Sequence, residues 1–445
     1  MRSALDAADG PRAIKALNDE LEVTSGADLP RNIKGDNALL ILDRASIQQS
    51  LSEFGLSKRD FETADKAIDM LDLSRNAGDS IGEYVFSSSS GRYQAPPYEK
   101  LMINTLNMLN YLEQSDLNGA RIEARRLSVM HTYYRNSLGH LDNPVVGLGS
   151  MLAGYTFEKS GNVDEALRYY DEALACPGFD SLKSFVAPLL SMGSYRSPRF
   201  GDVPARERPD SGKTGKTSAA NPSGQGASAS ALPSSAGNAE SNATGEVLVV
   251  VGHGRVPHKI ANRIPIGLAL TYFASALSPN DVAAANRLAA QGLVTWINFP
   301  SLAPATGSLG YPSITLDGAQ VTSDQAVDVD NEVRREWKNV EGKVVVSAIT
   351  RLVARTAAGK GIEAAAGRDN VLGIVLSLGA QATLTVLDTP DTRSWETLPA
   401  RIDVARLKLP IGNHKIVVSA RGWQRSQDVE VTKGSWRVVS LMALR

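Results

Sequence analysis

The stretch GNVDEALRYYDEALACPGF, residues 161–179, sets the pattern for the N-terminal half. Ala166, Tyr170 and Ala173 follow Gly161 at spacings of four and three, with Pro177 just beyond, so they share one face of a helix. Small residues on such a face let a second helix approach closely. The same arrangement recurs around Ala64 and Ala120, 56 and 46 residues apart from one to the next. Phe61, Leu117 and Val163 stand three residues earlier. Ile68, Ala124 and Tyr170 stand four later, and Leu71, Leu127 and Ala173 seven later. Leu39, Leu42, Ile47 and Leu51 form a further helical stripe, and Pro96-Pro97 suits a helix entry.

With Gly154, Phe157 and Pro177 added, the last of these units resembles the tetratricopeptide repeat, though the spacing is irregular and implies insertions, one of them SSSSGR at 87–92. The resemblance implies antiparallel helix pairs stacked into a superhelix whose concave face binds a protein segment. Thr105, Glu113, Tyr155, Glu158 and Lys159 are the expected partner-binding residues on that face.

Residues 204–244 change character: Ser, Ala, Gly, Pro and Asn dominate, with one Leu and no aromatic residue. Such a composition does not bury enough apolar surface to offset its ordering entropy, so a disordered linker is expected there. A chain of that length spans roughly 35 Å and would hold two folded halves apart. Its GKTGKTS, 212–218, lacks the first glycine of a phosphate loop, Asp210 standing there, and no strand precedes it.

Beyond the linker the pattern is mixed. EVLVVV, 246–251, suits a buried strand. SPNDVAAANRLAAQG has Ser278 as N-cap and Pro279 in the first turn of a helix, and LVTWINF follows as a strand. Val329, Val333, Trp337, Val340 and Val344 place a long helix over 325–357, with Gly342 as its bend. From 401 the period falls to two. Ile402 and Val404 lie on one face and Ala405, Leu407 and Leu409 on the other, which implies a bulge. HKIVVSA, QDVEVT and WRVVSLMAL complete an antiparallel meander. The run from LPIGNHKIVVSARGW to VEVTKG resembles small β-sandwich modules of the PEGA type, which implies a structural or interaction element. The expected fold class is therefore α+β multidomain. It has a tetratricopeptide-like all-α superhelix over 1–203, a linker over 204–244, and a mixed α/β domain over 245–445 that ends in a meander.

Composition narrows the function. The 445 residues carry a formal net charge of −1, so no global basic field attracts nucleic acid or anionic lipid, and no nucleic-acid partner is expected. The single Cys176 precludes an intrachain disulfide, and ALAC, 173–176, lacks the apolar run that a lipoprotein-processing box follows. The N-terminus shows no apolar signal region. The longest apolar run, 371–387, is broken by polar residues and reads as a buried helix leading into a strand.

Candidate chemistry is thin. His253 and His258 lie with Arg255 and Lys259 in VVVGHGRVPHKI, a glycine-rich turn after a strand that could bind an anion or begin a metal site. No third His or Cys stands at ligand spacing, so exposed turn positions are expected instead, with no metal and no cofactor. Asp388, Asp391, Arg393 and Glu396 in LDTPDTRSWETLP read either as paired carboxylates or as turn chemistry. Arg121 and Arg125 share a helix face that could clamp a carboxylate of a bound peptide, but a solvated face or an internal ion pair is the default expectation.

Tyr111, Ala120, Glu123, Arg125, Arg126, Asp391, Arg393, Trp395, Leu398 and Pro399 resemble a family of bacterial proteins, often lipoproteins, with no established activity. That resemblance implies a periplasmic or outer-membrane-associated protein; the absence of a signal region leaves the cytoplasm as the alternative. The expected function is a non-enzymatic scaffold or adaptor of the bacterial envelope, with a protein partner of unknown identity and an unknown oligomeric state. The alternative is an enzyme or small-ligand binder with a site at His253, Arg255 and His258.

Overall fold

The computed structural model describes residues 1–33, 36–68, 93, 95–138, 144–201, 244–290, 296–304, 310–366 and 390–445. The expected loop at 87–92, all but Thr244 of the expected linker, Leu71 and the apolar run at 371–387 lie outside the described residues.

Among the described residues the N-terminal half is helical. α1 (Arg2–Asp6) and α2 (Gly10–Glu20) precede three antiparallel pairs: α3 (Asn37–Ser50) with α4 (Phe54–Ala67), α5 (Pro97–Glu113) with α6 (Leu117–Leu138), and α7 (Pro144–Lys159) with α8 (Val163–Leu174). α9 (Leu182–Leu190) follows. Pro97 opens α5 where its missing N–H costs nothing. Asp116 caps α6, its Oδ1 accepting from Gly119 N at 3.0 Å. The pairs close on small residues as the pattern predicts. Ala120 and Ala166 are fully buried, and a Cβ on Gly154 would lie 2.4 Å from the Tyr170 ring. One alignment is corrected. Ala120 and Ala166 are the fourth residues of α6 and α8, whereas Ala64 lies in the last turn of α4. The equivalent position in α4 is Ser57, buried and donating its hydroxyl to Ala45 O at 2.8 Å.

The C-terminal half holds two four-stranded sheets and a smaller α/β unit. β1 (Thr244–His253) lies between β10 (Trp436–Ala443), to which it is parallel, and β7 (Arg401–Pro410), to which it is antiparallel. β6 (Asp324–Asp328) completes the order β10-β1-β7-β6. The second sheet runs β5 (Ala319–Val321), β4 (Ser313–Leu316), β8 (Gly412–Ala420), β9 (Trp423–Val431). The small unit combines the antiparallel pair β2 (Lys259–Pro265) and β3 (Trp296–Leu302) with α10 (Ile266–Phe273), α11 (Pro279–Ala290) and α12 (Val329–Ala366). Ser278 caps α11 as expected, its Oγ accepting from Asp281 N at 3.1 Å. The helix expected from 325 starts at Val329 instead, because 324–328 is spent on pairing with β7.

The run EVLVVV is continuous because both faces of the central sheet are covered. Val247, Val249 and Val251 pack on the second sheet with Ile416, Val418 and Val429, while Leu248 and Val250 pack on the helices. The same two-sided burial explains Ile402 to Ala405, so β7 needs no bulge; the irregularity lies opposite, between Gln325 and Val327 of β6. In the expected meander, β8 and β9 form an antiparallel hairpin, whereas β10 crosses to the central sheet.

The expectation of halves held apart is likewise corrected. Leu248, Val250, Ile402, Val404, Val438, Met442 and Trp395 share one core with Ile47, Phe61, Tyr155 and Tyr170 of the helices. The result is three layers: helices, central sheet, second sheet. Contact is close enough that Gly178, at φ +88°, has no room for a side chain. A Cβ there would lie 2.2 Å from Gln325 O of β6.

Candidate functional site

The face of the helices that sequence assigns to a partner is occupied by the protein's own central sheet. Arg406 on β7 reaches into it. Its Nε and Nη2 donate to the two carboxylate oxygens of Glu246 on β1 at 2.7 and 3.0 Å. Nη2 also donates to Glu158 of α7 at 2.6 Å, and Nη1 to Tyr170 Oη of α8 at 2.9 Å. Tyr170 donates to the other Glu158 oxygen at 2.6 Å. Lys159 lies 2.8 Å from Glu158 and 3.1 Å from Glu246. The guanidinium stacks over Phe185 at 4.3 Å and over Tyr155 at 5.1 Å. Two cations and two anions thus balance within a buried cluster. Burial pushes the Glu158 carboxyl up, but Arg406 and Lys159 outweigh it and hold it below the ordinary glutamate range. Burial raises the Tyr155 and Tyr170 phenols well above theirs.

Glu113, at the end of α5, makes a second such contact. It accepts from Arg425 of β9 at 2.8 Å and from Ser440 Oγ of β10 at 2.6 Å. Tyr155 meets Trp436 of β10 edge-on at 6.0 Å between ring centres. Of the five expected partner-binding residues, Glu113, Tyr155, Glu158 and Lys159 therefore hold the sheet. Thr105 is buried between α5 and α7, its hydroxyl donating to Leu101 O at 2.9 Å.

The segment 391–400 forms the second fastening. Trp395 is fully buried, its N donating to Glu99 at 3.1 Å and its indole Nε1 to Ser46 Oγ at 3.0 Å. It meets Phe61 edge-on at 5.8 Å. Thr397 donates its N and Oγ1 to Asp43 Oδ1 at 3.1 and 2.9 Å. Glu396 pairs with Arg2, and Arg393 pairs with Asp391 at 2.6 Å and with Asp36 at 2.8 Å. Burial, with Glu396 adding, pushes the Asp43 carboxyl up to about 8; burial also raises Glu99. The acidic residues of DTRSWETLP are thus anchors for this strap.

The turn after β1 is not the exposed basic turn that the sequence suggests. His253 is buried and its Nε2 lies 2.9 Å from Asp403 Oδ2 on β7, because β1 carries on to His253. Arg255 pairs with Asp6 of α1. His258 is half-buried, its imidazole held below the ordinary range by burial first and then by Arg2 and Arg255. His253 and Arg255 of the alternative site thus serve different contacts, and Asp391 is paired with Arg393.

Sequence reasoning missed Arg406, Glu246 and Arg425. A signal existed: Arg406 continues the helix-facing parity of Ile402 and Val404, and Glu246 that of Leu248 and Val250. A charge on a buried parity needs a partner.

The outer side of α6 is different. Ile122 and Val129 are 53% and 51% exposed, seven residues apart, with exposed Arg125 between them and Arg121 alongside. These four form one stripe of the helix.

No protein-family model, no curated protein and no solved structure matches the chain. Among the described residues no helix is long and apolar enough to cross a membrane.

Proposed function

We propose that the protein is a non-enzymatic scaffold of the bacterial envelope in which the helical half cradles the chain's own sheet. The partner is then taken on the outer face of α6. The observation that carries this reading is the stripe Ile122, Arg125, Val129 with Arg121: two large apolar side chains exposed beside two arginines. A protein segment presenting apolar residues flanked by carboxylates complements it, since arginine forks bind carboxylates bidentately and the apolar pair supplies the buried area. The groove residues are committed to the fold, so capture through them would require the sheet to leave. The envelope location rests on the family resemblance alone.

The test is complementation of a deletion strain with Ile122→Asp/Val129→Asp and with Arg121→Glu/Arg125→Glu, each checked for an unchanged melting temperature. Loss of the phenotype in both, with a photocrosslink from position 122 to an acidic segment abolished by the arginine reversal, is the expected result. Full complementation by both folded variants would overturn the reading.

A further inference from the structure

The β4–β5 hairpin is a lightly anchored edge of the second sheet, and one histidine clasps it. β4 has four residues and β5 three. Ile314 is fully buried, with Leu316 and Val321 half-buried beside it. Asp317 and Gly318 join the strands in a two-residue turn, both at positive φ, +50° and +84°. Such turns match the twist of the flanking strands, and Asp and Gly tolerate the conformation. The turn carries the Asp317 carboxylate to β8. Its Oδ1 accepts from Lys415 N at 2.7 Å, and its Oδ2 lies 2.7 Å from His414 Nδ1. The other ring nitrogen, Nε2, lies 2.9 Å from Pro410 O, at the corner where the chain leaves β7 of the central sheet for β8 of the second.

Both atoms that face the ring are therefore acceptors, one a carboxylate oxygen and one a carbonyl oxygen. A neutral imidazole has one N–H and one lone pair, so either tautomer sets its lone pair against an oxygen. The imidazolium alone donates to both. The surroundings agree. The hydrogen bond to Asp317, and after it the Pro410 carbonyl, raise the His414 imidazole above its ordinary range against the opposing effect of burial. His414 and the Lys415 N–H hold the Asp317 carboxyl below its own. Among the described residues, the neighbouring strands bring no rival charge to the ring. β9 sets Val429 opposite it, Lys415, Asp428 and Glu430 belong to the other face of the sheet, and Lys408 of β7 lies over Phe185 on the helix side.

We propose that His414 is a proton-operated clasp: as an imidazolium it ties the β4–β5 turn to the corner between the two sheets, and on losing its proton it lets the hairpin open from β8. Opening bares the β8 backbone at Ile416–Ser419, which β4 otherwise pairs. The sign follows from the two shifts. The contribution of His414 is full below the unfolded histidine pKa and lost as pH rises through the higher folded value. That of Asp317 is full above the unfolded aspartate pKa and lost as pH falls through the lower folded value. The hairpin is thus held most firmly between roughly pH 4 and pH 6.5.

The experiment is hydrogen exchange of the full chain, read by mass spectrometry on peptides covering 313–321 and corrected for the intrinsic pH dependence of exchange. The opening constant of the hairpin should rise about threefold or more between pH 5.5 and pH 8.5, while peptides from β1 and β7 keep theirs. In parallel, imidazole NMR should show the His414 signal, identified by its loss in His414→Gln, titrating above a histidine in an unstructured peptide. Asp317→Asn removes the carboxylate but keeps a residue suited to positive φ, so the turn survives. In that variant His414 should titrate lower than in the parent. His414→Gln should open to the same extent at both pH values, and it decides the matter even if Asp317→Asn folds poorly. A histidine that titrates at or below the peptide value, a titration unmoved by Asp317→Asn, or a rise in opening that persists in His414→Gln would each overturn the proposal.

Discussion

Arg406→Met should unfasten the helices from the sheet. Methionine keeps much of the arginine's apolar length, so packing on Phe185 and Tyr155 changes little while the charge goes. Glu158 and Glu246 are then left buried with Lys159 as their remaining cation. Removing one partner from a buried ionic group typically costs about 3–5 kcal/mol. At about 2 °C per kcal/mol for a large domain, the melting temperature should fall by about 6–10 °C at pH 8. The pH dependence gives the cause. In the parent chain the Glu158 carboxyl is held low, so its contribution is present above the unfolded glutamate pKa and lost as pH falls through the lower folded value. In the variant, burial wins over the missing charge and raises the carboxyl. The deficit should therefore shrink toward pH 5, where the Glu158 carboxyl, no longer held low by Arg406, takes up a proton. Adding Glu158→Gln and Glu246→Gln to Arg406→Met should recover part of the loss at pH 8. Scanning calorimetry at pH 5 and pH 8 reads all of this. A drop under 2 °C at pH 8, or an equal drop at both values, would refute the assignment of this cluster as the fastening.

Ala166→Leu, at a fully buried crossing of α7 and α8, should cost about 1–3 kcal/mol by overpacking, read as a lower denaturation midpoint. Trp395→Ala should cost about 3–5 kcal/mol, since it empties a buried site lined by Phe61 and leaves the Ser46 hydroxyl without its donor. Asp43→Asn should stabilise at pH 8 and change little at pH 5. The Asp43 carboxyl titrates at about 8 in the fold, so the folded state holds a proton that the unfolded state gives up above pH 4, and stability declines between those values. Melting curves from pH 4 to pH 9 should show that decline flattened in the variant. A protease site inserted near residue 225 should, once cut, leave two pieces that co-elute on gel filtration, because Leu248, Val250 and Val404 share a core with the helices. Separate elution would restore the picture of independent domains.

Much of the architecture was legible in local pattern. Alanines and glycines at helical spacing announced the helix pairs, Ser278 announced the start of α11, and period-two runs announced β7 to β10. What escaped was long-range. EVLVVV carries no information on which strands flank it, and its neighbours lie more than 140 residues away at β7 and β10. Four of the five expected groove residues, all but Thr105, face the sheet, but in sequence their polarity reads as readiness for a partner. The charges matched Arg406 and Arg425 instead, and only the parity of those two arginines within their strands hinted at it. DTRSWETLP reads either as paired carboxylates or as turn chemistry for the same reason: a carboxylate that fastens Thr397 or Arg2 is indistinguishable in sequence from one that moves a proton.

The position of β1 at the middle of the central sheet has a consequence for synthesis. Its only strand partners among the described residues begin at Arg401 and Trp436. At about 5–20 residues per second, a ribosome needs roughly 8–30 s to travel from the end of β1 to the start of β7. Throughout that interval the nascent chain carries a valine-rich segment with both backbone edges bare. The helices, made earlier, can shield Leu248 and Val250, but Val247, Val249 and Val251 wait for strands not yet translated. The interval makes the nascent β1 a natural client for a chaperone and the point at which slow translation would turn a correct sequence into an aggregate.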